Sequence, residues 1–166
     1  MRFIILLLIS LGTVNAKLSV PNIFGDNMVI QRDSPIHVWG EASPEKNVRV
    51  ILGNRDLTVK SDINGKWSLN LDALQGSNQS KSMSISSEGE TIEFDNIMIG
   101  DVWILGGQSN MEDALESIYH GDTEVISANF PSIRLITIPQ KAENEPQENI
   151  EQINEFNAWE NRYELK

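Results

Sequence analysis

The chain of 166 residues carries 13 lysines and arginines against 24 aspartates and glutamates, so its formal net charge is -11. A duplex nucleic-acid binder needs clustered positive charge, and this balance disfavours that class, while 40% apolar and 22% charged residues are typical of a globular chain. The sequence has no cysteine and two histidines, which excludes disulfides, thiolate metal sites and cysteine nucleophiles and leaves too few histidines for a histidine-rich metal site.

The N-terminus has the pattern of a secretory signal peptide. A basic start at Arg2 is followed by an apolar run over residues 3–11 and by small side chains before Ala16. The apolar run is shorter than the roughly 20 residues that a membrane-spanning helix needs. We therefore expect residues 1–16 to be a signal peptide, a mature chain that starts at Lys17 without a membrane span, and a secreted or periplasmic location. The absence of cysteine fits a bacterial periplasm or surface better than a disulfide-rich eukaryotic module.

Residues 17–98 show the alternation of short antiparallel strands. Apolar and polar side chains alternate along several short runs, and turn sequences separate these runs at roughly ten-residue spacing. Asn64-Gly65 is the strongest hairpin signal, because both residues tolerate a positive φ. Glu88-Gly89 is another such turn. About seven short strands in about 80 residues predict an all-β sandwich of the immunoglobulin or jelly-roll kind.

The pattern changes near Asn96. Residues 101–105 consist of Asp101 and a continuous apolar run, a pattern typical of a strand buried on both faces, and the run ends at Gly106-Gly107. Residues 111–128 have helical periodicity, and residues 133–138 are a further β-branched run. This order predicts a βαβ unit that opens an α/β domain over residues 99–140.

The tail, residues 141–166, holds seven acidic and three basic residues and has little apolar periodicity, although Ile150, Ile153, Phe156 and Trp159 mark a weak stripe. We interpret it as a loop or a partly disordered, truncated end.

Ser109 lies where the predicted buried strand meets the predicted helix, in a tight turn on two glycines. Such a turn can expose a hydroxyl at the carboxyl edge of a sheet, beside backbone N–H groups that can stabilise an oxyanion. A serine nucleophile needs both features. Position alone favours the simpler interpretation that Ser109 caps the helix, because capping serines are far commoner.

The residues around Ser109 favour the nucleophile over the helix cap. Asp-Val-Trp-Ile-Leu-Gly-Gly-Gln-Ser-Asn-Met-Glu over residues 101–112 closely resembles the nucleophile block of the sialate O-acetylesterase family, within the SGNH hydrolases. The resemblance covers roughly residues 17–159 and is carried by residues 20–32, 35–40, 64–67, 101–112, 130–136 and 145–147.

This resemblance implies a β-sandwich followed by the start of an SGNH α/β domain that removes acetyl esters from sialic acids or similar sugars. It implies that Ser109 is the nucleophile and that its backbone N–H is an oxyanion donor. Gly107, Gln108 and Asn110 would shape the turn and the oxyanion site. No metal or organic cofactor is implied.

The sequence departs from the family pattern at the catalytic base. The family's histidine and its preceding aspartate, an Asp-x-x-His, are absent from this chain, as are later glycine and asparagine blocks. His120 lies eleven residues after Ser109, about 16 Å away along a straight helix, so it is a poor base. His37 is expected on the solvent side of a sandwich strand, and Trp39, Trp67 and Trp103 are expected to pack in the core.

The sequence therefore predicts a truncated esterase of the sialate O-acetylesterase type, with O-acetylated sialic acid or another acetylated carbohydrate as its substrate and with little or no activity of its own. No nucleic-acid partner is expected. The alternative from another functional class is a secreted, non-catalytic carbohydrate-binding or interaction module, in which the sandwich is the working part.

Overall fold

The computed structural model shows a β-rich domain followed by a second part, whose described residues include one short helix and one two-stranded sheet. The structure describes residues 16–107, 117–127, 130–139, 142, 144–147, 149–150 and 159–161. The strands of the first part are β1 (Val29–Gln31), β2 (Ile36–Glu41), β3 (Asn47–Leu52), β4 (Arg55–Lys60), β5 (Lys66–Leu71), β6 (Ser77–Ser87) and β7 (Glu90–Gly100). The second part contains α1 (Gly121–Ser127), β8 (Arg134–Leu135) and β9 (Glu160–Asn161).

The strands of the first part form two sheets. One is five-stranded in the order β1-β7-β6-β3-β4, and the other is the antiparallel pair β2-β5. Neighbours in the larger sheet are antiparallel except β1, which runs parallel to the end of β7 and pairs Val29 with Met98 and Gln31 with Gly100. The predicted boundary after residue 98 thus falls inside β7.

Both sheets bury one face in the same hydrophobic core. Trp67, Leu69 and Leu71 of β5 are buried and alternate with exposed side chains, as the sequence pattern predicts. Burial of apolar surface at about 25 cal/mol per Å² makes this shared core the main stabilising element of the domain. The core contains Leu18, Met28, Ile36, Val38, Ala42, Val48, Val50, Leu52, Trp67, Leu69, Leu71, Leu74, Met83, Ile85, Ile97 and Ile99. A β-rich first domain is therefore confirmed.

The predicted turn at Glu88-Gly89 is found, and in the structure it closes a hairpin. These two residues join β6 to β7 with φ of 51° and 86°, and the strands pair up to Ser87 and Glu90. Positive φ at both central residues matches the twist of the flanking strands.

The predicted hairpin at Asn64-Gly65 is wrong in its strand partners. The turn is present, with the carboxylate of Asp62 accepting from the backbone N–H of Asn64 and Lys66 at 2.8 and 2.9 Å. However, β4 pairs with β3 and β5 pairs with β2, so the turn carries the chain from one sheet to the other. A local turn sequence specifies the bend, whereas the core decides which strands meet.

The predicted βαβ unit is not confirmed. Residues 101–105 form no strand, and a parallel strand needs neighbours that its backbone can bond, which the described residues do not provide. Residues 111–116 and 128 of the predicted helix lie outside the described residues. Within the described part, His120 has a φ of 62° and α1 begins at Gly121. β8 pairs antiparallel with β9, and its parallel pairing with residues 101–105 is not observed.

We expect Gly65→Ala to destabilise the domain more than Gly89→Ala. Both glycines have φ near +85°, which disfavours any L side chain by about 1–2 kcal/mol. A Cβ on Gly65 would also overlap the carbonyl oxygen of Ala42, whereas a Cβ on Gly89 meets open space. In urea unfolding, the free energy of unfolding of Gly65→Ala should be at least about 1 kcal/mol lower than that of Gly89→Ala. Equal losses of unfolding free energy in the two variants would contradict this prediction, because they would show that the backbone near Ala42 moves away from the new Cβ at no cost.

Candidate active site

The candidate nucleophile motif lies at the edge of what the structure describes. Ser109, Gln108 and Asn110 are outside the described residues, and Gly107 is the last described residue before them, with an exposed backbone. The predicted arrangement of Ser109, Gln108 and Asn110 therefore stays a prediction. The structure does describe how the chain approaches them.

The approach segment, residues 101–107, is exposed throughout. Trp103 and Ile104 are 80% and 97% exposed, and Leu105 is also largely exposed. The expectation that Trp39, Trp67 and Trp103 all pack in the core is correct only for Trp67, because Trp39 is half-buried on the outer face of β2.

The start of the approach segment is held by the residues at the end of β1 and just after it. The backbone N–H of Arg32 donates to the carbonyl of Gly100, and the Arg32 Nε donates to the Asp101 Oδ1, both at 2.9 Å. The backbone N–H of Val102 donates to the side-chain oxygen of Gln31, also at 2.9 Å. We call these three hydrogen bonds the exit clamp.

The exit clamp perturbs the titration of its charged members. The hydrogen bond from Arg32 holds the pKa of the Asp101 carboxyl below its usual range, against the opposing effect of partial desolvation. The same hydrogen bond raises the pKa of Arg32, which therefore stays charged. Both side chains are about half exposed, so solvent screens this ion pair.

The two histidines of the chain lie in different parts of the structure. His37 is exposed on β2, as predicted, and its ring stacks on Trp39 with the ring centroids 4.9 Å apart. Phe24 meets the same indole edge-on. His120 lies in the turn before α1, with its ring beside that of Tyr119.

A return contact brings the tail back to the same part of the domain. The indole N–H of Trp159 donates to the carbonyl of Ile23 at 2.9 Å, and Trp159 packs on the core. Asn22 donates from its backbone to the Asn149 side chain and from its amide to the Ile150 carbonyl, both at 2.8 Å. The acidic composition of the tail did not predict this attachment, although the stripe containing Ile150 and Trp159 was a signal for it.

The described residues contain no group of three or more histidine, aspartate or glutamate side chains placed to hold a metal ion. In the same part of the chain, no helix has the length and apolar character to cross a membrane.

Comparisons with known proteins agree with the family resemblance. No protein-family model matches the chain. Sialate O-acetylesterases from Mus musculus and Homo sapiens are each 25% identical, over 67% and 72% of this chain and 23% and 25% of their own length. A crystal structure of a carbohydrate acetylesterase from Xanthomonas citri matches with a TM-score of 0.80 and 29% identity over 87% of this chain and 32% of that one. The chain thus spans about a quarter of the length of these curated relatives, and the resemblance stated from the sequence is confirmed.

We expect Arg32→Ala to raise the pKa of Asp101 towards or above its ordinary value. The folded-state pKa is lowered, so the ion pair stabilises the fold above the ordinary aspartate pKa and is lost as the pH falls through the folded value. Carboxyl carbon NMR titration measures this pKa directly. Asp56, whose pKa is lowered by Arg49, is the internal control and should not change. An unchanged Asp101 titration in Arg32→Ala would contradict the assigned cause.

Proposed function

We propose that this chain, which resembles the sialate O-acetylesterases, is the part of a secreted or periplasmic carbohydrate acetylesterase that carries the nucleophile Ser109. The observation that carries the proposal is the structural likeness to a carbohydrate acetylesterase, at 29% identity over 87% of this chain. The Gly-Gly-Gln-Ser-Asn string at residues 106–110 supports the assignment of the nucleophile.

The proposed reaction is that of a serine ester hydrolase. The Ser109 hydroxyl oxygen attacks the acetyl carbonyl carbon while a base takes its proton, and the sugar alcohol leaves with a proton as the acetyl-serine ester forms. Water then attacks that ester, which releases acetate and restores the hydroxyl. Backbone N–H groups at the turn, that of Ser109 among them, stabilise the tetrahedral oxyanion in both steps.

The base is the unsatisfied requirement of this reaction. A serine hydroxyl is a weak nucleophile without an adjacent base. Neither His37 nor His120 follows an Asp-x-x-His pattern. We therefore expect this chain by itself to hydrolyse esters slowly.

The substrate class is an acetylated carbohydrate, O-acetylated sialic acid included, because the relatives are named for these activities. The net charge of -11 argues against a polyanionic nucleic-acid partner. Secretion is supported by the signal-peptide pattern of residues 1–16.

A second candidate function is carbohydrate binding without catalysis, favoured by the aromatic cluster of His37, Trp39 and Phe24. His37 and Trp39 lie on the outer face of β2, opposite the exposed polar side chains of Asn70 and Ser68 on β5. The exposed ring of His37 and the half-buried ring of Trp39, beside hydrogen-bonding groups, suit the apolar and polar faces of a sugar.

Chemical rescue tests the esterase proposal. Residues 17–166 should release acetate slowly from 4-nitrophenyl acetate. After subtraction of the cleavage by imidazole alone, imidazole should raise the protein-dependent rate by supplying part of the roughly 10²- to 10⁴-fold that a positioned base contributes. Ser109→Ala should remove this increment, whereas Ser80→Ala, at an exposed serine of β6, should retain it. Equal rates for the wild-type and Ser109→Ala chains at every imidazole concentration would contradict the proposal.

Ligand binding separates the two functions. The Ser109→Ala chain is titrated calorimetrically with O-acetylated and de-acetylated sialic acid, with and without His37→Ala. An esterase site should bind the acetylated sugar more tightly than the de-acetylated one, and His37→Ala should not change its affinity. A binding face on β2 should bind both sugars. Its affinity should fall about tenfold or more in His37→Ala, which corresponds to about 1.4 kcal/mol.

A further inference from the structure

We propose that the folded β-rich domain protects the peptide bond between Ala16 and Lys17, so that a signal peptidase has to cut this bond before residues 16–20 dock on the domain. We call residues 16–20 the entry segment. This inference rests on the signal peptide and the secreted location proposed above, and it does not depend on hydrolysis at Ser109. It fixes an order of events, in which the chain is exported unfolded, is cut, and then folds.

The entry segment lies along the edge of β2. The backbone N–H of Ser19 donates to the carbonyl of Glu41, and the N–H of Glu41 donates to the carbonyl of Ser19, both at 2.9 Å. A Cβ on Gly40 would overlap the carbonyl oxygen of Ser19. Because glycine has no Cβ, it allows the segment to lie this close to β2.

The side chain that follows the proposed cut by two residues is buried. Leu18 is 4% exposed and belongs to the hydrophobic core, and Val20 packs against the same core. The backbone N–H of Leu18 also donates to the Glu90 carboxylate at 2.7 Å. Withdrawal of the entry segment therefore returns a leucine side chain to water and breaks a hydrogen bond to a carboxylate.

The bond to be cut is itself engaged. The hydroxyl of Ser43, a buried residue, donates to the Ala16 carbonyl oxygen at 3.1 Å. A peptidase has to bring this same oxygen to its own oxyanion donors when the carbonyl carbon is attacked. The cut adds one water: the C–N bond breaks, Ala16 keeps a carboxylate, and Lys17 keeps the nitrogen as an α-ammonium.

These contacts predict slow cleavage of the folded chain. Proteolysis acts on exposed segments, and a docked segment is cut only through the small population in which it has opened. To enter a peptidase, Ala16 has to leave Ser43 and draw Leu18 out of the core. The rate of cleavage should therefore fall with the fraction of molecules in which the entry segment is undocked.

The chain offers a matched pair of mild variants. Glu90 and Glu93 are both exposed glutamates on β7, and Glu90 is the one that accepts from the N–H of Leu18. Glu90→Ala should loosen the entry segment, whereas Glu93→Ala is the control for the loss of a surface charge from the same strand.

A second pair acts on the backbone. Gly40→Ala places a Cβ against the Ser19 carbonyl and should displace the entry segment. Gly53→Ala is the control for lower stability, because Gly53 has a φ of 57° in the turn that joins β3 to β4. This turn follows the end of β3, whereas the β6–β7 turn beside Glu90 lies near its start.

The test measures cleavage by a purified bacterial signal peptidase in detergent micelles. The substrates are the folded full chain, residues 1–166, its four variants, and a peptide of residues 3–23, which is too short to form the domain. Mass spectrometry identifies the product that begins at Lys17. Urea unfolding and amide exchange at Leu18 and Ser19 are measured on the same full-length proteins.

We expect the folded chain to be cut at least about tenfold more slowly than the peptide, because the burial of Leu18 alone accounts for a factor of this size. Glu90→Ala should raise the cleavage rate about two- to tenfold, as expected for one hydrogen bond, and Gly40→Ala should raise it further. Both should speed amide exchange in the entry segment, whereas Gly53→Ala and Glu93→Ala should keep the wild-type rates. If Gly40→Ala fails to fold, the glutamate pair decides alone.

The proposal is overturned if the folded chain and the peptide are cut after Ala16 at the same rate, or if Glu90→Ala and Glu93→Ala are cut equally fast. A peptide that is not cut after Ala16 would refute the predicted signal peptide, and the secreted location and this inference would fall with it. None of these results affects the esterase assignment, which the comparison with Ser109→Ala decides.

Discussion

The parallel pairing of β1 with the end of β7 is the constraint on which the rest of the molecule depends. Only three residue pairs make this contact, but they bring the opening segment alongside the point where the chain leaves the β-rich domain. Asn22, Ile23 and Asn27, in the loop before β1, contact residues 149, 150 and 159. One short stretch of the chain, residues 22–32, therefore holds both the exit and the return of the second part.

The β-rich domain was predictable where the determining information is local. Alternation in β3 and β5 specified which side chains are buried, and Glu88-Gly89 specified a hairpin through its positive φ. The Asn64-Gly65 turn was predictable as a bend, but its strand partners were not. The partners are decided by long-range pairing, such as that of Ile36 with Leu71, which no local rule contains. A three-residue parallel strand such as β1 is equally non-local.

The candidate site was predictable from its residue string and not from its geometry. The string at residues 101–112 identified a resemblance that the comparisons confirm, whereas burial of residues 101–105 was expected and exposure is found. An apolar run indicates that its side chains favour burial, but it does not indicate whether the rest of the chain provides the surface that would bury them. For Trp159 the error was the opposite one, because the acidic tail was expected to be a loop or partly disordered, whereas its Trp159 side chain packs on the core.

The exposed apolar run carries a consequence for the behaviour of the chain in solution. Val-Trp-Ile-Leu at residues 102–105 is uncharged, free of proline and rich in β-forming side chains, properties that it shares with the longer segments that add to like segments of other molecules. Asp101 is the nearest charged residue that could hinder such association, and its charge is paired with that of Arg32 in the exit clamp. Colloidal stability then rests on the overall charge of -11, and salt, which screens that charge, brings the chains closer to aggregation.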